Sequence, residues 1–279
     1  MSNLQDLINQ AAEKGTDYTQ EQKGGNFERE LPEAGMAVCR LREYIELGVQ
    51  PTASKMYPNK KPAKKARFTF ELTTPKHIKV IEKEDKSVLR IPHTVSITCT
   101  VSASEKSNFI KLFRQLNWDG TITHPAQCLG KPYLCEVVHA WAKGDDPKKD
   151  KPSYANLQKD GMYTLSAPRK VDPLAGTVEE LAVPEMLNPI KLFLWDNPTP
   201  ETWESLFIDG TYEKDGKEVS KNWLQELILS AEDFDGSELH AMLSDLGDLS
   251  AEEEPVKEEK AAAKPEKKDV KDPLAGLGI

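Results

Sequence analysis

The sequence predicts a mainly β protein with added helices. Five short segments alternate apolar and polar residues, as strands with one buried face do. One segment with helical spacing falls between the third and fourth of them. The chain has 279 residues, which is enough to bury at least one sizeable core.

The first predicted strand begins at residue 36 and has two distinct faces. Ala37 and Leu41 lie on an apolar face that also includes Cys39, Ile45 and Leu47. Side chains alternate between the two faces of a strand. The alternation therefore predicts a second, polar face that bears Arg40, Arg42 and Tyr44.

The segments that follow predict the order of a small Greek-key barrel. A second strand covers 67–72 and a third, interrupted one covers 78–101. Next comes a helix with Ser102 or Ser104 as its N-cap and Phe109, Leu112 and Leu116 on one side. A fourth strand at 133–141 and a fifth strand or hairpin at 154–165 complete the order of an OB-fold, a five-stranded barrel.

The remaining segments predict a helical extension and a tail. A strand is expected at 190–195, followed by a helix with Thr199 as N-cap, a helix capped by Ser220, and an amphipathic segment at 237–246. From residue 248 the composition turns to Ala, Glu, Lys and Pro without aromatics, which favours disorder. We therefore expect an N-terminal helix and mobile arm at 1–35, an OB-fold domain with its extension at 36–247, and a disordered acidic tail with an apolar tip at 248–279.

Charge is distributed unevenly along the chain. Residues 1–37 hold 3 basic and 7 acidic side chains, residues 38–170 hold 24 and 13, and residues 171–279 hold 10 and 26. These segments carry net charges of −4, +11 and −16. The basic middle segment predicts a binding site for a polyanion. The acidic last third predicts a segment of the same chain that competes with the polyanion for this site.

Several function classes are disfavoured by what the sequence lacks. Its first residues lack the basic and apolar regions of a signal peptide, so none is expected. It contains no apolar run long enough to span a membrane and no phosphate-loop, dinucleotide, nucleophile-elbow or zinc-protease signature. Four cysteines in apolar, strand-like segments indicate reduced thiols. We therefore expect a cytoplasmic protein that is neither an enzyme nor bound to a membrane and needs no cofactor.

One group of residues resembles a metal site. His124, Cys128, Cys135 and His139 lie within sixteen residues, and zinc prefers thiolate and imidazole ligands. Neither cysteine pair has the close spacing of a zinc knuckle. Core cysteines and ordinary histidines are the favoured interpretation, so no metal is predicted.

Cations and aromatic rings together predict binding of single-stranded nucleic acid. Residues 55–67 hold six cations and no acid. Lysine and arginine attract phosphates, and an exposed ring offers each base a face to stack on. The predicted phosphate ligands are Arg40, Arg42, Lys55, Lys60, Lys61, Lys64, Lys65, Arg67, Lys148, Lys149 and Lys151, and the predicted stacking residues are Tyr44, Tyr57 and Tyr154.

Four segments carry a family resemblance: AVCRLREYIELGVQP, KPAKKARFTFELTTPKH, KLFLWDNPTPETWESLFIDG and NWLQELILSAEDFDGS. They resemble the single-stranded DNA-binding proteins of tailed bacteriophages, across most of residues 30–240. The resemblance implies an OB-fold that coats single strands without sequence preference during phage replication and recombination, in the host cytoplasm. Carried over onto this chain, it adds Trp141 as a stacking candidate.

The tail is expected to bind partner proteins. Its apolar tip resembles that of bacterial single-strand binding proteins, although it ends in Gly278 and Ile279 without an aromatic residue. Two alternative functions remain. One is a protein-interaction adaptor of a phage replication or recombination complex that needs no stacking residues, and the other is a nuclease-like or zinc-dependent enzyme that would need metal. The candidate contacts to replication or recombination proteins are Asp269, Asp272, Leu274, Leu277 and Ile279.

Overall fold

The structure is a computed structural model that describes residues 30–53, 57–83, 86–142, 144–172, 174–214 and 216–251. The predicted N-terminal helix, Lys55 and the tail tip lie outside these residues. The chain divides into two compact units, residues 1–242 and 243–279. No described helix is both long and apolar enough to cross a membrane.

The largest sheet of the described residues has six strands and confirms a mainly β fold. A long strand, β1 (Gly35–Gln50), pairs antiparallel with β2 (Ala63–Leu72), and β2 pairs with β5 (Thr94–Thr100). On its other edge β1 pairs with β6 (Pro132–Ala140), which pairs with β7 (Tyr154–Asn156). The strand order is therefore β5-β2-β1-β6-β7, and β12 (Lys191–Phe193) adds a parallel partner to β1.

A β-bulge in β1 overturns part of the predicted face pattern. The register with β2 shifts between Leu41 and Glu43, so one extra residue is inserted into β1. An inserted residue reverses which side chains point inward. As a result Leu41 and Tyr44 both face the core, each at most 1 % exposed.

The main core lies on the inner face of this sheet. It contains Phe68 and Phe70 of β2, Tyr133 of β6 and the buried face of helix α1 (Asn108–Leu116). Phe109, Leu112 and Leu116 are the buried residues of α1, as the helical spacing predicted. The cap differs from prediction, because the side chain of Ser107 accepts the Ile110 N–H.

Four small hairpins extend from the sheet. The hairpin at 169–180 is exposed at every strand residue, so no buried face marked it in the sequence. The predicted third strand at 78–101 instead forms a separate hairpin at 78–92 and then β5. The hairpins are β3 (Ile78–Glu82) with β4 (Val88–Pro92), β8 (Gln158–Lys159) with β9 (Met162–Tyr163), β10 (Arg169–Asp172) with β11 (Thr177–Glu180), and β13 (Thr211–Lys214) with β14 (Lys217–Ser220).

Three helices follow the sheet: α2 (Pro200–Glu204), α3 (Trp223–Leu229) and α4 (Glu238–Ala251). Thr199 caps α2 through its side chain, as predicted, and Asn222 rather than Ser220 is the N-cap residue of α3. Helix α4 extends past the predicted domain boundary at residue 248. Gln50 Nε2 donates to the Leu227 carbonyl at 2.8 Å and thereby joins α3 to the end of β1.

Candidate nucleic-acid interface

A cleft of about 560 Å³ opens beside the β3–β4 hairpin, β5 and β7. Arg67 and Tyr154, both predicted to contact nucleic acid, lie in its walls although 87 residues separate them in sequence. Ile81 and Ile91 of the hairpin form an aliphatic part of the wall. The cleft thus combines positive charge, an aromatic ring and apolar surface, which is the chemistry that a single strand requires.

Arg67 is held at the centre of a small network. Its Nη2 donates to Ser96 Oγ at 2.8 Å, and its guanidinium carbon lies 4.9 Å from the centre of the Trp223 ring. A guanidinium over an indole is attracted by the electrons of the ring. These contacts fix the direction of the Arg67 charge at the cleft wall.

Lys79 supplies a second cation to the cleft. Its Nζ donates to Glu30 Oε2 at 3.0 Å, and this hydrogen bond, together with the lysine charge, lowers the pKa of Glu30. Glu30 lines the same cleft, followed by Leu31 and Pro32. A phosphate that reaches Lys79 must therefore compete with the Glu30 carboxylate.

Tyr154 provides the aromatic surface. The β6–β7 ladder, in which Tyr154 pairs with Ala140, fixes its backbone, and its side chain is 48 % exposed. Next to it in sequence, Ala155 also lines the cleft and is packed against the core. An exposed aromatic residue on a fixed strand can accept a base.

Trp223 is a candidate that the sequence reasoning missed. This residue is 40 % exposed and is the first of α3, and its ring lies beneath the guanidinium of Arg67. The residues next to Trp223 in sequence do not indicate a role in binding, because its contact with Arg67 forms between two elements that are far apart in sequence. A tryptophan opening a helix that also contains Leu224 and Ile228 is more commonly a core residue.

The basic loop before β2 is exposed, whereas the two lysines at the start of β2 contact other parts of the chain. Tyr57 is 64 % exposed and forms a separate hollow with Pro58, Asn59 and Lys60. Lys61 is also exposed. In contrast, Lys65 Nζ donates to the Pro51 carbonyl at 2.6 Å, and Lys64 Nζ lies 3.4 Å from Asp196 Oδ1.

Arg40 and Arg42 hold another segment of the chain against the sheet. Arg40 donates to the carbonyls of Gly130, Val183 and Pro184 and forms an ion pair with Glu185 at 2.7 Å. Arg42 Nε donates to the Pro189 carbonyl at 3.2 Å. The geometry gives both guanidinium groups protein partners where phosphate contacts were predicted.

The prediction that Tyr44 has an exposed ring is wrong. Its ring is 1 % exposed and packs 5.1 Å from Phe68 and 5.6 Å from His124, measured between ring centres. The bulge in β1 is the physical reason, since it turns Tyr44 inward. A base has no access to this ring.

The loop between β6 and β7 carries the remaining predicted cations. Trp141 is half-buried, and its Nε1 donates to the Asp150 carbonyl at 2.9 Å. Lys148, Lys149 and Lys151 are exposed, and Lys149 lies 3.5 Å from Asp146. The loop leads directly into Tyr154, so its lysines are candidates for phosphates near the cleft.

The four residues that resemble a metal site do not form one in the described part of the chain, where no group of three or more His, Cys, Asp or Glu side chains could hold an ion. His124 Nδ1 accepts the Ala126 N–H, and His139 Nε2 lies 2.8 Å from the Pro32 carbonyl oxygen. Cys128 and Cys135 are buried. Burial raises the pKa of Cys128, which favours the protonated thiol over the thiolate that zinc needs.

No protein-family model, curated protein or solved structure matches this chain.

Proposed function

We propose that this chain binds single-stranded DNA without sequence preference and coats it during phage DNA replication and recombination in the host cytoplasm. The observation that carries the proposal is the cleft in which Arg67, Lys79 and Tyr154 meet the aliphatic wall of the β3–β4 hairpin. The basic charge of residues 38–170 supports it, because phosphate contacts supply most of the affinity of nonspecific binding. Binding of this kind needs no catalysis, metal or cofactor.

We further propose that the sheet is an OB-fold. Its strand order, with α1 between β5 and β6, is the order expected of that barrel, and the end strands β5 and β7 lie beside each other. OB-folds bind oligonucleotides on the face of their second and third strands and with the two loops beside it. Those positions correspond here to β2 and β5, the loop at 51–62 and the loop at 141–153.

The test is a titration of the purified chain with oligo-dT, followed by intrinsic tryptophan and tyrosine fluorescence at two salt concentrations. Duplex DNA of the same length is the control. The proposal predicts quenching by the single strand that weakens as salt increases and is much smaller with duplex. Absence of any response to the single strand at low salt would overturn it.

A protein-interaction adaptor is the second candidate. Exposed apolar side chains favour it, above all Leu174, which is 99 % exposed. An adaptor that does not contact DNA would show no fluorescence response to oligo-dT, and Tyr154→Ala would then have no effect in a DNA-binding assay. Its partners would include replication or recombination proteins, through the residues of the tail.

A further inference from the structure

Five consecutive residues occur twice in this chain. Asp-Pro-Leu-Ala-Gly occupies positions 172–176 and again positions 272–276. A lysine and a valine precede each copy, in opposite order. The first copy connects β10 and β11, and the second lies outside the described residues.

The turn at the first copy is fixed by its own polar groups. Asp172 Oδ1 accepts the N–H groups of Leu174 and Ala175 at 2.9 and 3.0 Å. Gly176 has a φ of +65°, a conformation that glycine adopts at no steric cost. Aspartate and glycine therefore explain the turn, but neither explains why leucine stands between them.

Leu174 contributes to no core. It is 99 % exposed, more than any other large apolar residue in the described part of the chain. Val171 and Val178, each 54 % exposed, are direct partners in the β10–β11 ladder and so share one face of the hairpin. The hairpin thus carries two exposed valines on one face of its ladder and the most exposed large apolar residue, Leu174, in its turn.

We propose that residues 172–176 are a docking motif whose Leu174 enters an apolar pocket of a partner protein, and that residues 272–276 offer the same pocket a second copy. Burial of an exposed leucine against another surface lowers the free energy of the complex. The turn already holds Leu174 in place before binding, which reduces the entropy cost of docking. The pocket must tolerate the aspartate of the motif, and residues 171–279 hold 26 acidic against 10 basic side chains. This charge favours a pocket with a basic rim.

The duplication points to a partner that has more than one such pocket, as a symmetric homo-oligomer does. Two motifs on one chain can then bind two equivalent pockets, which raises the overall affinity without any new type of contact. This proposal is independent of DNA binding. The docking motif lies outside the cleft, since none of the cleft-lining residues belongs to β10, β11 or their turn.

The experiment compares the full chain with Leu174→Ser, Leu274→Ser and the double variant as immobilised baits in extracts of cells that produce the protein. Leu187→Ser is the matched control, since Leu187 is also exposed at 46 %. A retained protein is then purified and titrated with the synthetic peptide of residues 269–279 and with the same peptide carrying Leu274→Ser. Oligo-dT titration and thermal unfolding of each variant monitor DNA binding and folding.

We expect the full chain to retain one protein from the extract. Each single variant should retain less of it, the double variant should retain none, and Leu187→Ser should retain as much as the original chain. The 269–279 peptide should displace this protein, with an affinity about tenfold or more above that of the serine peptide, as burial of one leucine predicts. If the double variant and the original chain retain the same proteins, or if the two peptides compete equally, the motif does not dock. All variants should bind oligo-dT equally. Failure of every variant and of the original chain to bind DNA would contradict the proposed function without bearing on the docking motif.

Discussion

The open ring of Tyr154 should carry a measurable part of the affinity for DNA. Stacking of a base on an aromatic side chain contributes about 1–3 kcal/mol. We therefore expect Tyr154→Ala to weaken oligo-dT binding about 5- to 150-fold, measured by fluorescence anisotropy of a labelled strand. Tyr212→Ala is the control, because Tyr212 is similarly exposed but lies in the β13–β14 hairpin. Equal affinity of the two variants would remove Tyr154 from the interface.

Trp223 should report on occupation of the cleft, because Arg67 connects its ring to the cleft wall. We expect Trp223→Phe to lose most of the fluorescence quenching caused by oligo-dT. Trp118→Phe is a closely matched control: Trp118 is 41 % exposed, and the Arg169 guanidinium lies 6.0 Å from its ring centre. Unlike Arg67, Arg169 does not line the cleft, so quenching that disappears with Trp118 instead would place the strand elsewhere.

The buried Tyr44 should affect stability and not DNA binding. Burial and the nearby Glu46 carboxylate raise the pKa of Tyr44, which keeps its hydroxyl protonated, and that hydroxyl donates to Glu46 Oε1 at 3.0 Å. Tyr44→Phe removes this hydrogen bond. We expect the free energy of unfolding to fall by about 1–2 kcal/mol in denaturant titrations, with oligo-dT affinity unchanged. A loss of affinity without a loss of stability would restore Tyr44 to the site.

Among the elements, the basic loop before β2 offers the clearest electrostatic test. Lys60 and Lys61 are exposed, whereas Lys64 and Lys65 contact Asp196 and Pro51. Reversing the first pair, Lys60→Glu with Lys61→Glu, therefore changes charge with the least disturbance of packing. Removal of two phosphate contacts should weaken binding and lower the slope of log affinity against log salt by about 1.4.

The control for the loop variant reverses Lys106 and Lys111, two exposed lysines in and before α1. It changes the net charge by the same amount at another place on the surface. If both double variants weaken binding equally, the loop acts only through the overall charge of the protein. If the loop variant keeps its affinity and salt slope, the loop is not part of the interface.

The pattern of residues predicted those elements that bury one face. The long first strand, the helix between β5 and β6 and the Thr199 cap are confirmed, since burial and capping leave periodic or local marks in the sequence. The β10–β11 hairpin leaves none, because all of its described strand residues are exposed. The face of Tyr44 could not be predicted either, since alternation gives no sign of where a bulge inserts a residue.

The candidate site was predictable in its chemistry but only partly in its geometry. Arg67 and Tyr154 stand out in sequence as a cation and an aromatic ring among other cations, and the sheet brings them to one cleft. Lys79 and Trp223 belong to the candidate site through contacts with Glu30 and Arg67, which are far from them in sequence. A local sequence pattern could not predict these contacts. The sequence predicts Arg40 as a phosphate ligand, whereas in the structure its guanidinium binds residues 183–185 of the same chain.

At the scale of the whole molecule, the distribution of charge makes binding of a polyanion compatible with a net charge of −9. The positive charge of residues 38–170 includes Arg67, Lys79 and the basic loop. Salt screens charges that lie more than about 8 Å apart under physiological conditions, so the cations that line the cleft affect the attraction for DNA more than charges farther from it do.

This distribution leads to a prediction for a chain cut after Ala251. The removed residues, 252–279, hold 6 basic and 8 acidic side chains, so the net charge changes by only two. Every buried apolar side chain of the described residues lies between Ala37 and Leu239. We therefore expect the shortened chain to keep its thermal midpoint, its salt slope and at least its original affinity for oligo-dT.

Each change in affinity or stability would identify a different role for residues 252–279. A large loss of affinity would mean that this segment is part of the DNA interface. A rise in affinity that disappears at high salt would mean that its carboxylates compete with phosphates, in addition to the competition that Glu30 offers at Lys79. A lower thermal midpoint with unchanged binding would mean that the segment stabilises the fold, although the described core does not include it.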